Sequence, residues 1–231
     1  MVILPQRYLI LFILNGVYFF VYFHRVSTAV LAPYLIEAFS ASATSLGAMS
    51  SAYFYPYALS QPIVGFLADR WGAKKVITFS TLISFLGAFL FALAGSLIWA
   101  AFARALIGFG AAGVFVPALK ILLPWFGARA FARMNTILLA VGNMGAIVAS
   151  TPYAWFIQQV GWRNSFFFIA GLSLFLFFLS WQFVKDAPEA EIRSGKEMVD
   201  KKQSQAPGFF EILKSPFYWL MAALFFAYGG P

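Results

Sequence analysis

No formal charge stands between Glu37 and Asp69, between Lys75 and Arg104, or between Arg133 and Arg163. A helix rising 1.5 Å per residue needs about 20 mostly apolar residues to cross a bilayer, so each interval has room for at least one crossing. The 231 residues are 62% hydrophobic and only 10% charged, with a mean hydropathy of +0.82. Soluble domains run at roughly 45–50% apolar and about 25% charged, and this chain carries more apolar surface than one water-facing fold can hide. A soluble enzyme and intrinsic disorder are both excluded. The chain has no Cys and a single His, which removes disulfides and thiolate chemistry and leaves little for imidazole chemistry.

The spacing of charges predicts helix one near 8–36, a second helix starting after the Gly and Ser residues of 40–47, and a third from about Lys75. A tight turn at Gly95-Ser96 leads into helix four, which runs to about Leu123, and Pro124–Arg133 is read as a connection. Helix five is expected over 134–158 and helix six over 165–184. Lys185 to Lys214 is rich in Lys, Glu, Asp, Gln, Pro and Ser, the composition of a polar linker. From Phe217 the chain is apolar again and stops at Gly229-Gly230-Pro231, which reads as a seventh span cut short. The first apolar stretch is too long for a signal peptide and further helices follow it, so helix one is read as retained. The expected organisation is a six-helix unit over 1–184, a linker over 185–214 and the start of helix seven over 215–231.

The net charge of +8 would suggest a nucleic-acid partner in a soluble protein. Here twelve of the sixteen Lys and Arg residues fall on one side of the predicted membrane: Arg7, Arg70, Lys74, Lys75, Arg129, Arg133 and six between Lys185 and Lys214. The opposite loops carry only Arg163. By the positive-inside rule the N-terminus and the linker are cytoplasmic. The excess charge reports topology, and nucleic acid is not an expected partner.

The turn between helices two and three reads Gly65-Phe66-Leu67-Ala68-Asp69-Arg70-Trp71-Gly72-Ala73-Lys74-Lys75. Gly65 is expected to let a neighbouring helix approach closely, Gly72 to permit a tight reversal, and Asp69 to be compensated by the cations around it. The string resembles the Gly-x-Leu-Ala-Asp-Arg-x-Gly-Arg-Lys loop of the major facilitator superfamily, with Ala73 in place of a usual Arg. Arg104-Ala-Leu-Ile-Gly108-Phe-Gly110 is similar to that family's helix-four pattern. Trp125-Phe126 with Arg129 and Arg133 resembles its connection from helix four to five, and Gly161-Trp162-Arg163 its turn before helix six. The resemblance spans residues 8 to 231. It implies an all-α integral membrane protein: one six-helix half of a two-half transporter, with Gly65, Asp69, Arg70, Gly72 and Lys74 as a cytoplasmic conformational latch. The nested inverted repeats of such halves have a faint echo in Pro62, Gly72 and Lys74 against Pro152, Gly161 and Arg163.

Ionisable groups inside a span are functional candidates because each costs about 2.5–3.5 kcal/mol at a helix centre. Arg25, Arg104 and Lys120 qualify, and no carboxylate joins them, a bias that suits an anionic solute. Counting from Leu11, Arg25 lies about 21 Å into a core roughly 30 Å thick. Asn15, Tyr18, Tyr22 and Arg25 share one helical face. Helix two offers a second polar stripe in Ser50, Tyr53, Tyr57 and Gln61, and helix five offers Asn143, while Gly142 and Gly145 suit close helix contact. Lys120 reads as a snorkelling cation. His24 has a proton carrier's chemistry, but its cationic neighbour Arg25 argues for packing instead.

The segment from Tyr22 to Leu35 resembles helix one of the organophosphate:phosphate antiporters and anion:cation symporters of the superfamily. In the organophosphate group an Arg at this place grips the anion with a second Arg from helix seven; here 215–231 holds no Arg or Lys. For Arg104 and Gly108 the resemblance implies conformational coupling as much as solute contact. The expected function is secondary transport of a small organic anion by alternating access. Partners would be the bilayer, a C-terminal half and a co-transported ion such as a proton, sodium or phosphate, with a bacterial inner membrane as the location. Neither a catalytic constellation nor a metal or cofactor pattern is present in the sequence. The competing readings are a proton-coupled drug exporter, a non-transporting half, and a seven-helix receptor. The first lacks a buried acid for a cationic drug, and the last fails on the Gly65–Lys75 loop.

Overall fold

The computed structural model describes residues 5–188, 214–216 and 219–220. The readings of a linker over 185–214 and of a seventh span over 215–231 lie largely outside the described residues. A first compact unit runs from Met1 to Ala187, and Pro188–Pro231 forms a second. Among the described residues the first unit holds eight helices: α1 (Gln6–Phe39), α2 (Ala43–Ser51), α3 (Phe54–Trp71), α4 (Ala73–Ala92), α5 (Leu97–Ala112), α6 (Phe115–Val148), α7 (Thr151–Val160) and α8 (Trp162–Phe183).

Eight helices give six crossings because three spans are broken, the fourth at Gly113–Val114 and the fifth at Ala149–Ser150 among them, while α6 joins parts of the fourth and fifth. The second span is divided at Ala52–Tyr53 into α2 and α3, where one continuous helix was expected. The fourth and fifth meet inside α6. Pro124–Arg133, expected as a loop, is helical except at Gly127, which has φ 71° and ψ 164°. Ring contacts along α1 show that this single residue reverses the chain. Tyr18 stacks on Phe115 at 5.4 Å, Tyr8 meets Phe126 at 6.0 Å, and Gly142 returns to the level of Tyr18. Gly72 (φ 91°) and Gly161 (φ 79°) make two other one-residue reversals with nearly the same backbone, a conformation almost confined to glycine.

Local capping explains the remaining ends. Ser42 and Ser96 accept backbone N–H bonds from Ser45 and Trp99 to start α2 and α5. Ser40, in the left-handed region, closes α1. Helix α1 packs on α6 and α8, and α4 packs on α5 and α8. The exterior is apolar, with Phe12, Leu59, Ile98 and Trp181 exposed, while Ser27, Thr28, Ser80, Thr81, Ser173 and Ser180 are buried. That distribution suits lipid outside and close, small-residue packing within. At Gly145 an added Cβ would overlap the Phe19 backbone, and at Gly110 the Ser80–Ser84 turn, the close contact expected of Gly145.

Candidate functional site around Arg25

Four side chains of α1 were expected on one polar face, and the structure grades them by depth. Asn15 and Tyr18 are buried, Tyr22 is half-buried, and Arg25 is exposed. Tyr18 meets Tyr22 edge-on at 5.2 Å, and the Arg25 guanidinium lies 5.7 Å from the Phe54 ring centroid at the start of α3. Tyr18, Tyr53 and Tyr57 are all within electrostatic reach of Arg25. Tyr53 stacks on Tyr57 with centroids 5.9 Å apart, and Gln61, half-buried, is in hydrogen-bonding reach of Tyr57. The first and second spans thus converge on one aromatic, cationic cluster, and Gly142 of the fifth span lets Tyr18 and Tyr22 pack against α6.

Three expected positions sit differently. Tyr53, read as part of the polar stripe of helix two, is 1% exposed and lies at the break between α2 and α3. Ser50 and Asn143 bond back to Leu46 O and Leu139 O of their own helices, at 2.9 Å each. The His24 imidazole packs among the rings of Phe20, Phe23 and Phe166, as the packing reading expects.

Beneath Tyr53 lies Arg104, wholly buried. Its Nη1 donates to the His24 carbonyl at 2.7 Å, and its guanidinium lies 4.7 Å from the Tyr53 ring centroid. Spacing explains the pairing of Arg104 with Gly108: residues four apart share a helical face. A Cβ at Gly108 would overlap the Tyr53 backbone, so the glycine admits the α2–α3 break onto α5 and the arginine reaches past it to α1. Nε and Nη2 of Arg104 have no partner among the described residues. Desolvating an ion costs several kcal/mol, offset here only by one carbonyl and one ring.

The other polar cluster lies at the Lys74 end of the unit. Asp69 was expected to be compensated by Arg70, Lys74 and Lys75; it is instead ion-paired with Lys120 at 2.5 Å, whose Nζ also donates to Gly65 O at 3.3 Å. Lys120, read as a snorkelling cation, thus reaches this loop. Gly65 does not serve as a helix-contact glycine among the described residues, since an added Cβ would meet nothing within 4 Å; its carbonyl is the part in use. Gly72 makes the expected reversal, and Arg70 is exposed. Sequence reading missed Asp186, whose Oδ1 accepts the Lys74 backbone N–H at 2.6 Å and so caps α4 from the far end of the unit. Nearby, Trp125 Nε1 donates to Lys185 O at 2.8 Å. The only available signal was that Asp186 is the first acid after helix six.

At the opposite end Arg163 donates to Ala94 O at 2.9 Å, joining the two turns expected on the outer side. Among the described residues no group of His, Cys, Asp and Glu is placed to hold a metal ion.

The Major Facilitator Superfamily sequence model matches residues 14–230. The "Probable sulfoacetate transporter SauU" of Cupriavidus necator is 31% identical over 192 residues, covering 82% of this chain and 44% of that protein. The "Probable galactarate/D-glucarate transporter GarP" of Escherichia coli K12 is 30% identical over 166 residues, covering 69% of this chain and 37% of the relative. This chain therefore spans less than half the length of those relatives, which are named as transporters and not as enzymes. Among solved structures, an inward-facing bacterial homologue of the human lysosomal transporter Spinster superimposes with TM-score 0.71 at 21% identity, over 80% of this chain and 44% of that one. The proton:xylose symporter XylE superimposes with TM-score 0.68 at 13% identity, over 85% and 48%. Motif, fold and sequence agree: this chain is an all-α membrane unit belonging to the major facilitator superfamily.

Proposed function

We propose that this chain is the N-terminal half of a secondary transporter, symporter or antiporter, that moves a small organic anion by alternating access, with Arg25 as the anion-binding cation. The observation that carries the reading is an exposed guanidinium midway along the first span, 5.7 Å from the Phe54 ring centroid and near Tyr18, Tyr53 and Tyr57, whereas of the three span cations Lys120 is the one paired with a carboxylate among the described residues. A planar guanidinium binds carboxylate, sulfonate or phosphate oxygens through paired N–H bonds. Relatives named for sulfoacetate, galactarate, D-glucarate and hexuronate support an acidic solute. Tyr22, Tyr18, Tyr57 and Gln61 would orient it, with Tyr53, Asn15 and Asn143 behind or beside them. The Asp69–Lys120 pair and the Gly65–Lys74 loop would latch this half against a second one at the cytoplasmic side, and a co-transported ion would balance the charge.

The direct test is Arg25→Gln in the full-length protein, reconstituted in proteoliposomes and assayed with labelled sulfoacetate and D-glucarate. Half-saturation should rise about tenfold or more, the loss of one charged hydrogen-bonding group. Unchanged half-saturation for both solutes overturns the assignment.

A further inference from the structure

His24 is the one histidine of the chain, and it is 2% exposed with neither Nδ1 nor Nε2 bonded to any described residue. Its side chain borders a small cavity between α1, α4, α5 and α8. Three hydroxyl-bearing residues share the wall, Thr81 and Ser84 of α4 and Ser173 of α8, and the remainder is apolar. The cavity has room, about 10 Å³, for roughly one water molecule. Cavities lined wholly by hydrocarbon stay dry, whereas those with several converging polar groups hold water.

The hydrogen-bonding capacity of that wall is one-sided. Thr81 Oγ1 donates its proton to Ile77 O at 2.7 Å, and Ser173 Oγ donates to Ile169 O at 3.0 Å. Both oxygens therefore offer the cavity lone pairs only. A neutral imidazole has one N–H to give, and neither ring nitrogen of His24 bonds a hydroxyl directly. A water between them accepts the imidazole N–H and donates to Thr81 and Ser173, about three bonds in all, the number a buried water commonly makes. Ser84 fits on the same wall because Gly110 lacks a Cβ, which would overlap Ser84 Oγ. Ions suit the space less well. No carboxylate lines it, and Arg104 is bonded to the carbonyl of His24 itself, which repels a cation, while the Thr81 and Ser173 lone pairs repel an anion.

We propose that this cavity is a binding site for one water molecule, which bonds the His24 ring of the first span to Thr81 of the third and Ser173 of the sixth. The His24 carbonyl already accepts from Arg104 of the fourth span at 2.7 Å. With the water in place a single residue ties the first span to three others, to the fourth through its backbone and to the third and sixth through its ring. The site is separate from the Arg25 reading, since it needs no solute and holds whatever molecule is transported.

The test uses the full-length protein. A crystal structure at a resolution that shows ordered water should place one in this cavity, about 2.7–3.2 Å from a His24 ring nitrogen and from Thr81 Oγ1 or Ser173 Oγ. An empty cavity, a His24 ring bonded directly to a hydroxyl, or a metal ion in the water's place overturns the proposal. Melting temperatures in detergent give a second readout, because a shared water couples groups that do not touch. His24→Phe and Ser173→Ala each remove one of its partners, so the loss in the double variant should fall short of the sum of the single losses by about 2–4 °C. Losses that simply add overturn the proposal. Should a variant not fold, the crystal structure of the native protein decides alone.

Discussion

The single residues that matter most in this unit are glycines and arginines, for opposite reasons. Gly127 reverses the chain between the fourth and fifth spans with φ 71° and ψ 164°, yet a Cβ there would meet nothing within 4 Å. Its constraint is purely conformational. Gly127→Ala is expected to cost about 1–3 kcal/mol of backbone strain, read as a lower melting temperature of the detergent-solubilised protein. Gly108 is the steric counterpart, because an added methyl would overlap the Tyr53 backbone. Gly108→Ala should destabilise by about 1–3 kcal/mol through overpacking and displace the Tyr53 ring from Arg104. At Arg25, Lys keeps the charge and loses the planar fork. Arg25→Lys should therefore raise half-saturation for anions less than Arg25→Gln does, without restoring the native value.

Among the elements, α4 is started by a remote group. The Lys74 N–H donates to Asp186, 112 residues away, where most helices find a cap next door. Asp186→Ala is expected to cost about 0.5–2 kcal/mol, as lost caps do, and to raise hydrogen exchange at the first turn of α4. The Asp69–Lys120 pair bridges α3 and α6, but the side chains are 74% and 33% exposed. Exposed pairs contribute about 0.2–1 kcal/mol. Asp69→Asn should accordingly leave the melting temperature nearly unchanged. If the loop is a latch, the same variant should alter the transport rate of the full-length protein, a separation of stability from turnover that a merely structural pair would not produce.

At the scale of the whole unit, two sets of contacts lie at opposite ends. Asp69, Lys120, Trp125, Lys185 and Asp186 are joined at one end, and Arg163 with the Ala94 turn at the other. Together with the twelve basic residues assigned to the first end, this gives an orientation that is testable because the chain lacks cysteine. Gln159→Cys should react with a membrane-impermeant maleimide in intact cells, and Lys75→Cys only after permeabilisation. The reverse pattern would invert the topology.

The amino-acid sequence by itself determined the number and order of the crossings, the reversals at Gly72 and Gly161 and the family. Hydropathy, glycine and basic flanks act locally and can be read along the chain. It also located Arg25 and its Tyr neighbours, because a helical period is a local property. The break at Tyr53 was not read, although Pro56 lacks an N–H and its ring crowds the Ala52 carbonyl four residues back. Nor was the partner of Asp69: three cations stand within six residues of it, and the packing of α6 against α3 supplied a fourth, 51 residues away. Only the tertiary structure decided that Arg104 is wholly buried with one edge of its fork vacant. That outcome depends on where α1, α2 and α5 meet, and no stretch of one helix contains the information.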